Sequence, residues 1–402
     1  MLFRDFVDKE LNDKLTEFRE HRESRSEAVT SLLATLSRLA ETPYQDIQRR
    51  FQNAENIGAL PAPEIAVAQT FTFPFGISWP NHERARGWAA EILEDRTTFA
   101  ADGSQIYAGK ETSVPVAMIQ IGGFENPHNV EKTYEKSSRV EVLSPADLFR
   151  DQEEPMNPDV RVEERRYLGE VAAIGAFLRK KKGWKSRSER MPLAFFDNPL
   201  LVPFSQKGLQ KSLLEATVNL VALSRETEVP LVGYVDRSFS RDLITMLAAF
   251  NSSLDDSEKS VYDAWLLSSS APDRLPVLGS WGDRTCYCYS KRRGLNAFTD
   301  HVTGRSMVGF SYLQTTADSA PARMDIPAWV YEQGLLNELI DVVRAECVVG
   351  LGYPYPLETA DQTAVISGRD REVFFRALQE FANREKLDFS VARKDMSKAR
   401  RR

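Results

Sequence analysis

Through the first fifty residues apolar positions recur three and four apart in a charged background. "FVDKELNDKLTEFREHRESRSEAVTSLLATLSRLAE" has no Gly or Pro and predicts helix to about residue 55. "NIGALPAPEIA" then interrupts the pattern with Gly and two prolines, which places a boundary near 57–65. A helix over 82–94 leads into a change of period. Apolar runs at 97–102, 114–122 and 139–143 predict three strands, the first ending on Asp102. "VRVEERRYLGEVAAIGAFLRKKK" predicts a long helix from about 160, and "PLAFFDNPLLVPF" a buried strand that ends on Asp197. A helix over 207–227 precedes "VPLVGYVDRS", a strand ending on Asp236. Residues 251–300 are polar and irregular. A strand follows at 306–314 and a helix at 331–344, and "GYPYPLETADQTAVIS" opens the last helical region. This order predicts an α/β fold, a mixed sheet flanked by helices. Four segments are expected: an N-terminal helical extension at 1–60, a linker and lead-in helix at 61–95, the sheet domain at 96–375 with its insertion at 251–300, and a C-terminal helix with a basic tail at 376–402. No internal repeat is present.

Composition narrows this picture little. The 402 residues are 42% hydrophobic and 27% charged, and the net charge of −6 excludes a surface coated in Lys and Arg. Local basic clusters remain compatible with nucleic-acid binding. The start is charged rather than signal-like, and no window approaches the roughly 18 apolar residues of a membrane span, so a cytoplasmic protein without membrane contact is expected. Cys286, Cys288 and Cys347 are too few and wrongly spaced for a zinc site or a disulfide framework. The four histidines (His21, His82, His128, His301) form no recognisable pair and read as isolated surface or loop residues.

Four carboxylates are harder to dismiss. Asp102 and Asp197 each end an apolar strand, a position where a single acid is ordinarily a solvated loop residue. Adjacent strands ending together would bring the two within a few ångströms. Glu170 shares a helix stripe with Ala173, Ile174 and Phe177, while Leu168, Val171, Ala172 and Gly175 make the opposite stripe apolar too. A carboxylate buried there needs a partner, either Arg166 one turn earlier or a cation. Asp361 falls on the stripe of Leu357, Ala364 and Val365, whereas Glu358 and Gln362 point the other way, so it is expected to face the sheet. Converging carboxylates repel unless a cation stands between them, and oxygen-only ligands select Mn²⁺ or Mg²⁺. Two such ions about 3.5–4 Å apart are suited to in-line attack on a phosphodiester. An acid on the first strand, one on the first helix, one on the fourth strand and one on a late helix is the chain order of RNase H-like nucleases. "GSQIYAGKE" only superficially resembles a phosphate-binding loop: its glycines are one residue too far apart and Glu111 replaces the hydroxyl residue.

Four passages carry a family resemblance: "FAADGSQIYAG", "RRYLGEVAAIGAFL", "LAFFDNPL" and "GYPYPLETADQTAVIS". "VGYVDRSFSRDL" and "VGFSYLQTTADSAPARMDIPAW" add to it. Over about 95–370 the chain resembles the NurA nucleases. The resemblance implies an RNase H-like fold and manganese-dependent cleavage of DNA, by 5′→3′ exonuclease and single-strand endonuclease action. It also implies a homodimer that processes DNA ends with a HerA-type hexameric ATPase. Asp102 would bridge two ions, Glu170 and Asp197 holding one and Asp361 the other. Arg166 matches the family's Arg four residues before the helix acid, which favours Glu170 over Glu163 and Glu164. The chain departs from the family in three places. Asp361 replaces the usual His, Asp197-Asn198-Pro199 stands for Asp-Gly-Ser, and Arg237 stands where Lys is usual. The first of these keeps a second reading open, a catalytically weak scaffold that docks to a DNA translocase.

DNA contacts are expected from Arg166, Arg237 and "RKKKGWKSRSER" (179–190). In that stretch Lys180, Lys181, Lys182, Lys185 and Arg187 surround Trp184, a basic track with a stacking aromatic. A solvated loop is the ordinary alternative. Tyr353, Tyr355, Trp329 and Phe310 read as core aromatics. The N-terminal helices suit either docking and dimerisation or a layer packed on the sheet.

Overall fold

The computed structural model describes residues 4–68, 70–109, 112–149, 157–201, 210–254, 261–270, 275–317 and 319–387. The expected basic tail lies outside them. In chain order the elements begin with α1 (Arg4–Asp13), α2 (Leu15–Glu41), α3 (Tyr44–Phe51), β1 (Gly58–Pro61), α4 (Glu64–Ala68) and β2 (Thr72–Phe73). There follow α5 (His82–Leu93), β3 (Thr98–Ile106), β4 (Ala117–Asn126), β5 (Glu135–Leu143), α6 (Pro145–Phe149) and α7 (Pro158–Lys181). Next come β6 (Leu193–Phe196), α8 (Gln210–Thr227), β7 (Leu231–Val235), α9 (Asp242–Phe250), α10 (Asp263–Ser268), β8 (Arg284–Thr285) and β9 (Cys288–Lys291). The chain continues through β10 (Val308–Leu313), β11 (Ala322–Pro327), α11 (Ala328–Glu332), α12 (Leu336–Val349), α13 (Tyr355–Ala364) and α14 (Gly368–Arg384).

Contacts group the chain into two compact units, Met1–Ser78 with Val235–Ala328, and Trp79–Tyr234 with Trp329–Arg402. In the first, β1, β9, β10 and β11 pair antiparallel in that order, with β8 against β10 and β2 against β8. α2 supplies Leu32, Leu36 and Leu39 to a core shared with Ile47, Leu243, Leu247, Leu267 and Phe310. Burial therefore reaches across some 280 residues of sequence, and α2 packs into a core, while α1 buries no side chain. The stretch expected to be irregular holds α10, β8 and β9, with Cys286 and Cys288 fully buried. Its polar residues concealed this: Asp263, also fully buried, accepts the backbone N–H groups of Leu243 and Ile244 at 3.1 Å each and so caps α9.

The second unit has strand order β5-β4-β3-β6-β7. β3, β4 and β5 form an antiparallel meander, while β6 lies parallel to β3 and β7 parallel to β6. Side chains alternate across a strand, so Gly103 faces α7 while Asp102 and Ser104 face α13. Both helices approach closely because side chains are missing. A Cβ on Gly103 would stand 2.7 Å from Arg166 Cγ of α7, and one on Gly122 would stand 2.5 Å from Ala364 N of α13. α7 starts at Asn157, whose side chain accepts the Asp159 N–H, with Pro158 in the first turn and Arg179, Lys180 and Lys181 in the last. Those charges suit the two ends of a helix dipole.

One expectation for β3 fails. The strand does not stop at Asp102 but continues to Ile106, because β4 pairs with it throughout, from Thr98 opposite Asn126 to Ile106 opposite Met118. The acid is a mid-strand residue. No described helix is long and apolar enough to cross a membrane.

Candidate active site

Register places the first two acids side by side. β3 and β6 pair in parallel through Ala101 opposite Phe196, and Asp102 and Asp197 are the next residue on each strand. Asp102 is half-buried, and its Oδ1 accepts the Gly103 N–H at 2.7 Å. Burial, together with the charges of Asp197 and Asp361 and against that hydrogen bond, pushes its carboxyl up to about 6. Asp361 comes within hydrogen-bonding reach of Asp102.

Glu170 approaches from the opposite side of the sheet on α7 and is 1% exposed. Its Oε1 accepts from Arg166 at 2.6 Å, and its Oε2 from Asn198 at 3.3 Å. Burial drives this carboxyl up to about 8; Arg166 opposes the shift, while Asp102 and Asp197 add to it. Arg166 also donates to Glu163 at 3.0 Å. Glu163 accepts from Tyr107, and Glu164 is held by Arg161 and Ser212. Of the three helix acids only Glu170 faces the other carboxylates.

α13 is pinned from the sheet. Ser104 Oγ and Gln120 Nε2 both donate to Ala364 O, the latter at 3.1 Å, satisfying a carbonyl at the helix C-terminus. The buried side of α13 is Pro356, Leu357, Thr359, Ala360 and Ala364. Asp361 is exposed, as is Val365. The inward stripe thus runs one residue away from the expected one, and Asp361 reaches Asp102 from the helix's edge. Asp197 is exposed as well, and its Oδ1 accepts from Tyr353 at 2.8 Å.

All four donors are carboxylate oxygens, a set that fits a hard cation, and two of them carry raised pKa values that a cation would relieve. Among the described residues, no three His, Cys, Asp or Glu side chains gather as a ready-made metal cage. Arg166 accounts for part of this, since it holds Glu170 by one oxygen. The donor chemistry fits an ion, while the ligands would have to draw closer to take one.

The expected DNA contacts fare differently. Trp184 is buried, with its indole N–H donated to Glu228 O at 2.8 Å, and offers no face to a base. The cations around it already have carboxylate partners: Lys180 and Lys181 with Glu125, Lys182 with Glu226, Lys185 with Glu228 and Arg187 with Glu189. Arg237 is exposed and belongs to the first unit. His128 is neither isolated nor on the surface. It stands 3.3 Å from Glu346, which is fully buried, and its Nδ1 meets Arg96 O at 2.7 Å, an environment whose hydrogen bonds raise its pKa despite burial. Trp329 and Phe310 are buried, as expected. Sequence reading missed Tyr353 as a neighbour of the acids, although its place before the α13 proline was visible.

An antiparallel three-strand meander followed by two parallel strands, with acids meeting where the first and fourth end their pairing, defines an RNase H-like nuclease fold. The NurA domain model matches residues 96–366, and the chain belongs to the NurA family. Its membership supports a nuclease-type role. Among solved structures the chain is similar to NurA at 9% identity, covering 71% of this chain and 89% of that one with a TM-score of 0.41. It is similar to NurA with manganese at 9%, covering 72% and 89% with a TM-score of 0.40. The catalytic domain of human Endonuclease V is similar at 14%, covering 74% and 96% with a TM-score of 0.32. Among curated proteins none matches the chain.

Proposed function

We propose that this chain is a divalent-metal-dependent deoxyribonuclease with 5′→3′ exonuclease and single-strand endonuclease action. In this reading it processes DNA ends as a homodimer with a HerA-type hexameric ATPase. Asp102, Glu170, Asp197 and Asp361 would hold Mn²⁺ or Mg²⁺, two ions per site. Bound there, such ions acidify water and stabilise charge on the leaving oxygen of a phosphodiester.

The observation that carries the reading is the register of β3 and β6, which sets Asp102 beside Asp197, with Asp361 of α13 within hydrogen-bonding reach of Asp102. Acids from β3, the end of β6 and α13 are thus brought into one neighbourhood. The chain's own residues prepare that point. Gly103 admits Glu170 and Arg166, and Arg166 keeps Glu170 from standing as an unpaired buried charge. Ser104 and Gln120 fix the end of α13 and so the position of Asp361. None of these groups is a nucleophile towards phosphorus, and the attacking water would come from solvent.

Calorimetric titration of Mn²⁺ into the full chain, beside cleavage of single-stranded DNA, tests the reading. Wild type should bind and cut, whereas Asp102→Asn should lose Mn²⁺ binding and at least ~100-fold in activity, beyond the usual loss for an outer-shell partner. Wild type that binds no Mn²⁺ and cuts nothing would leave the second reading, a scaffold docked to a translocase. Asp361, standing where the resemblance implies His, is what motivates that reading.

A further inference from the structure

Asp197 is an exposed carboxylate just past the end of β6, followed by Asn198 and Pro199. An acid so placed samples several rotamers in water, and ordering it around an ion costs entropy. Here one side chain already helps to order it. Tyr353 donates its phenol to Asp197 Oδ1 at 2.8 Å.

The phenol is itself held from both directions. Phe196 pairs with Gly233, so Asp197 and Tyr234 are next to one another along β6 and β7, and the Tyr353 ring sits edge-on against Tyr234 with centroids 5.4 Å apart. Tyr234 is fully buried and therefore a fixed wall. On the chain side, α12 unwinds through a left-handed turn, with φ +56° at Leu351 and +113° at Gly352. Gly350 N–H donates to Glu346 O at 2.8 Å and Gly352 N–H to Cys347 O at 2.7 Å. The turn folds so tightly that a Cβ on Gly350 would stand 2.1 Å from Tyr353 O. Pro354 then fixes φ at −59° before α13 begins. Ring, backbone and proline together restrain where the hydroxyl can sit.

We propose that Tyr353 is a positioning residue that aims the Asp197 carboxylate at a divalent cation. The inference rests on the reading of Asp197 as a cation ligand. Carboxylates that bind metal are commonly held by an outer hydrogen bond, and loss of such a partner costs roughly 10–100-fold in metal affinity.

The test is a double-mutant cycle read by Mn²⁺ calorimetry on the full chain without DNA, using wild type, Tyr353→Phe, Asp197→Asn and the double variant. Phe keeps the ring against Tyr234 and removes only the hydroxyl, so thermal unfolding should be nearly unchanged. Expected is a ~10–100-fold weaker Mn²⁺ affinity in Tyr353→Phe, with single-strand cleavage restored by raising Mn²⁺. In the Asp197→Asn background the same change should do nothing further. Equal Mn²⁺ affinity in wild type and Tyr353→Phe overturns the inference while leaving the metal site standing. An equal loss from Tyr353→Phe with and without the Asp197 carboxylate also overturns it, since the hydroxyl would then act by another route. Wild type and Asp197→Asn that bind Mn²⁺ alike would refute the ligand reading itself, and the inference with it.

Discussion

Gly122 stands directly across the β3–β4 ladder from Asp102, and its missing side chain is the space into which α13 fits. A Cβ there would meet Ala364 N at 2.5 Å and Ala360 O at 2.9 Å, backbone atoms that no rotamer change can move. Gly122→Ala should therefore push α13 away from the sheet, at a cost of about 1–3 kcal/mol in urea unfolding. Nuclease activity should fall with it, because Asp361 travels on that helix. A fully active, fully stable Gly122→Ala would show that α13 is not held where it is described.

Arg166 and Glu170 make a second testable pair. Arg166 donates to Glu170, a carboxylate that is 1% exposed. Removing one partner of a buried pair is costly because the other charge is stranded, about 3–5 kcal/mol. Arg166→Leu should destabilise the protein by less than that at pH 8, because Glu170 can take up a proton there, and by still less at pH 5, where a protonated Glu170 needs no cation. Glu170→Gln should be milder, and adding it to Arg166→Leu should restore much of the lost stability. Unfolding free energies of the three variants at both pH values check this; a loss that is the same at both would point to packing instead.

Asp263 supplies a pH dependence away from the acids of the site. It is fully buried, and burial together with the charge of Asp242 pushes it up to about 7, against Arg323 and the Leu243 and Ile244 N–H groups. Tyr312 also donates to it at 3.0 Å. Its folded pKa lies above the unfolded one, so the folded state binds the extra proton. The stability it contributes is complete below about pH 4 and is lost as pH rises through about 7. The slope in that window is at most ~1.4 kcal/mol per pH unit. Asp263→Asn should flatten the profile of unfolding free energy between pH 4 and 7, and an unchanged slope would count against a neutral Asp263.

Trp184 should matter to the fold and not to DNA. Trp184→Phe strands Glu228 O, at about 1–3 kcal/mol, while single-strand affinity stays the same. The surrounding cations are a separate question, since exposed ion pairs contribute little and a phosphate can replace a glutamate. Replacing Lys180, Lys182, Lys185 and Arg187 together by Gln should lower the slope of log affinity against log salt by about 0.7 per lost phosphate contact. Fluorescence anisotropy across a salt series measures both variants. Weaker DNA binding by Trp184→Phe, or an unchanged slope in the fourfold variant, would go against these assignments.

Much of the second unit was legible in the chain. β6 and β7 are unbroken apolar runs, which is what strands covered on both faces need, and α7 carried its own start and stop signals. Glu170 was found because an acid inside an apolar row must have a partner, and it does. Asp361 was expected to face the sheet and is exposed instead. Its stripe was assigned from three apolar positions, and the buried side proved to be one residue away. A ten-residue helix with small side chains leaves its inward face underdetermined by periodicity. Trp184 misled in the opposite sense, because a tryptophan among lysines resembles a nucleic-acid contact, and only packing shows it as a buried anchor. The first unit was nearly illegible: strands as short as β2 and β8 hold no period, and the Asp242–Arg323 ion pair joins residues far apart in the chain.

The residue order by itself determined which segments become helix or strand, and which acids were too expensive to bury without cause, because periodicity and desolvation act locally. It did not determine that β3 runs on past Asp102, that Tyr353 grips Asp197, or that two glycines admit a helix on each face. Those are matters of register and close approach between segments up to some 260 residues apart, and a sequence carries no distance between such segments until the sheet brings them together.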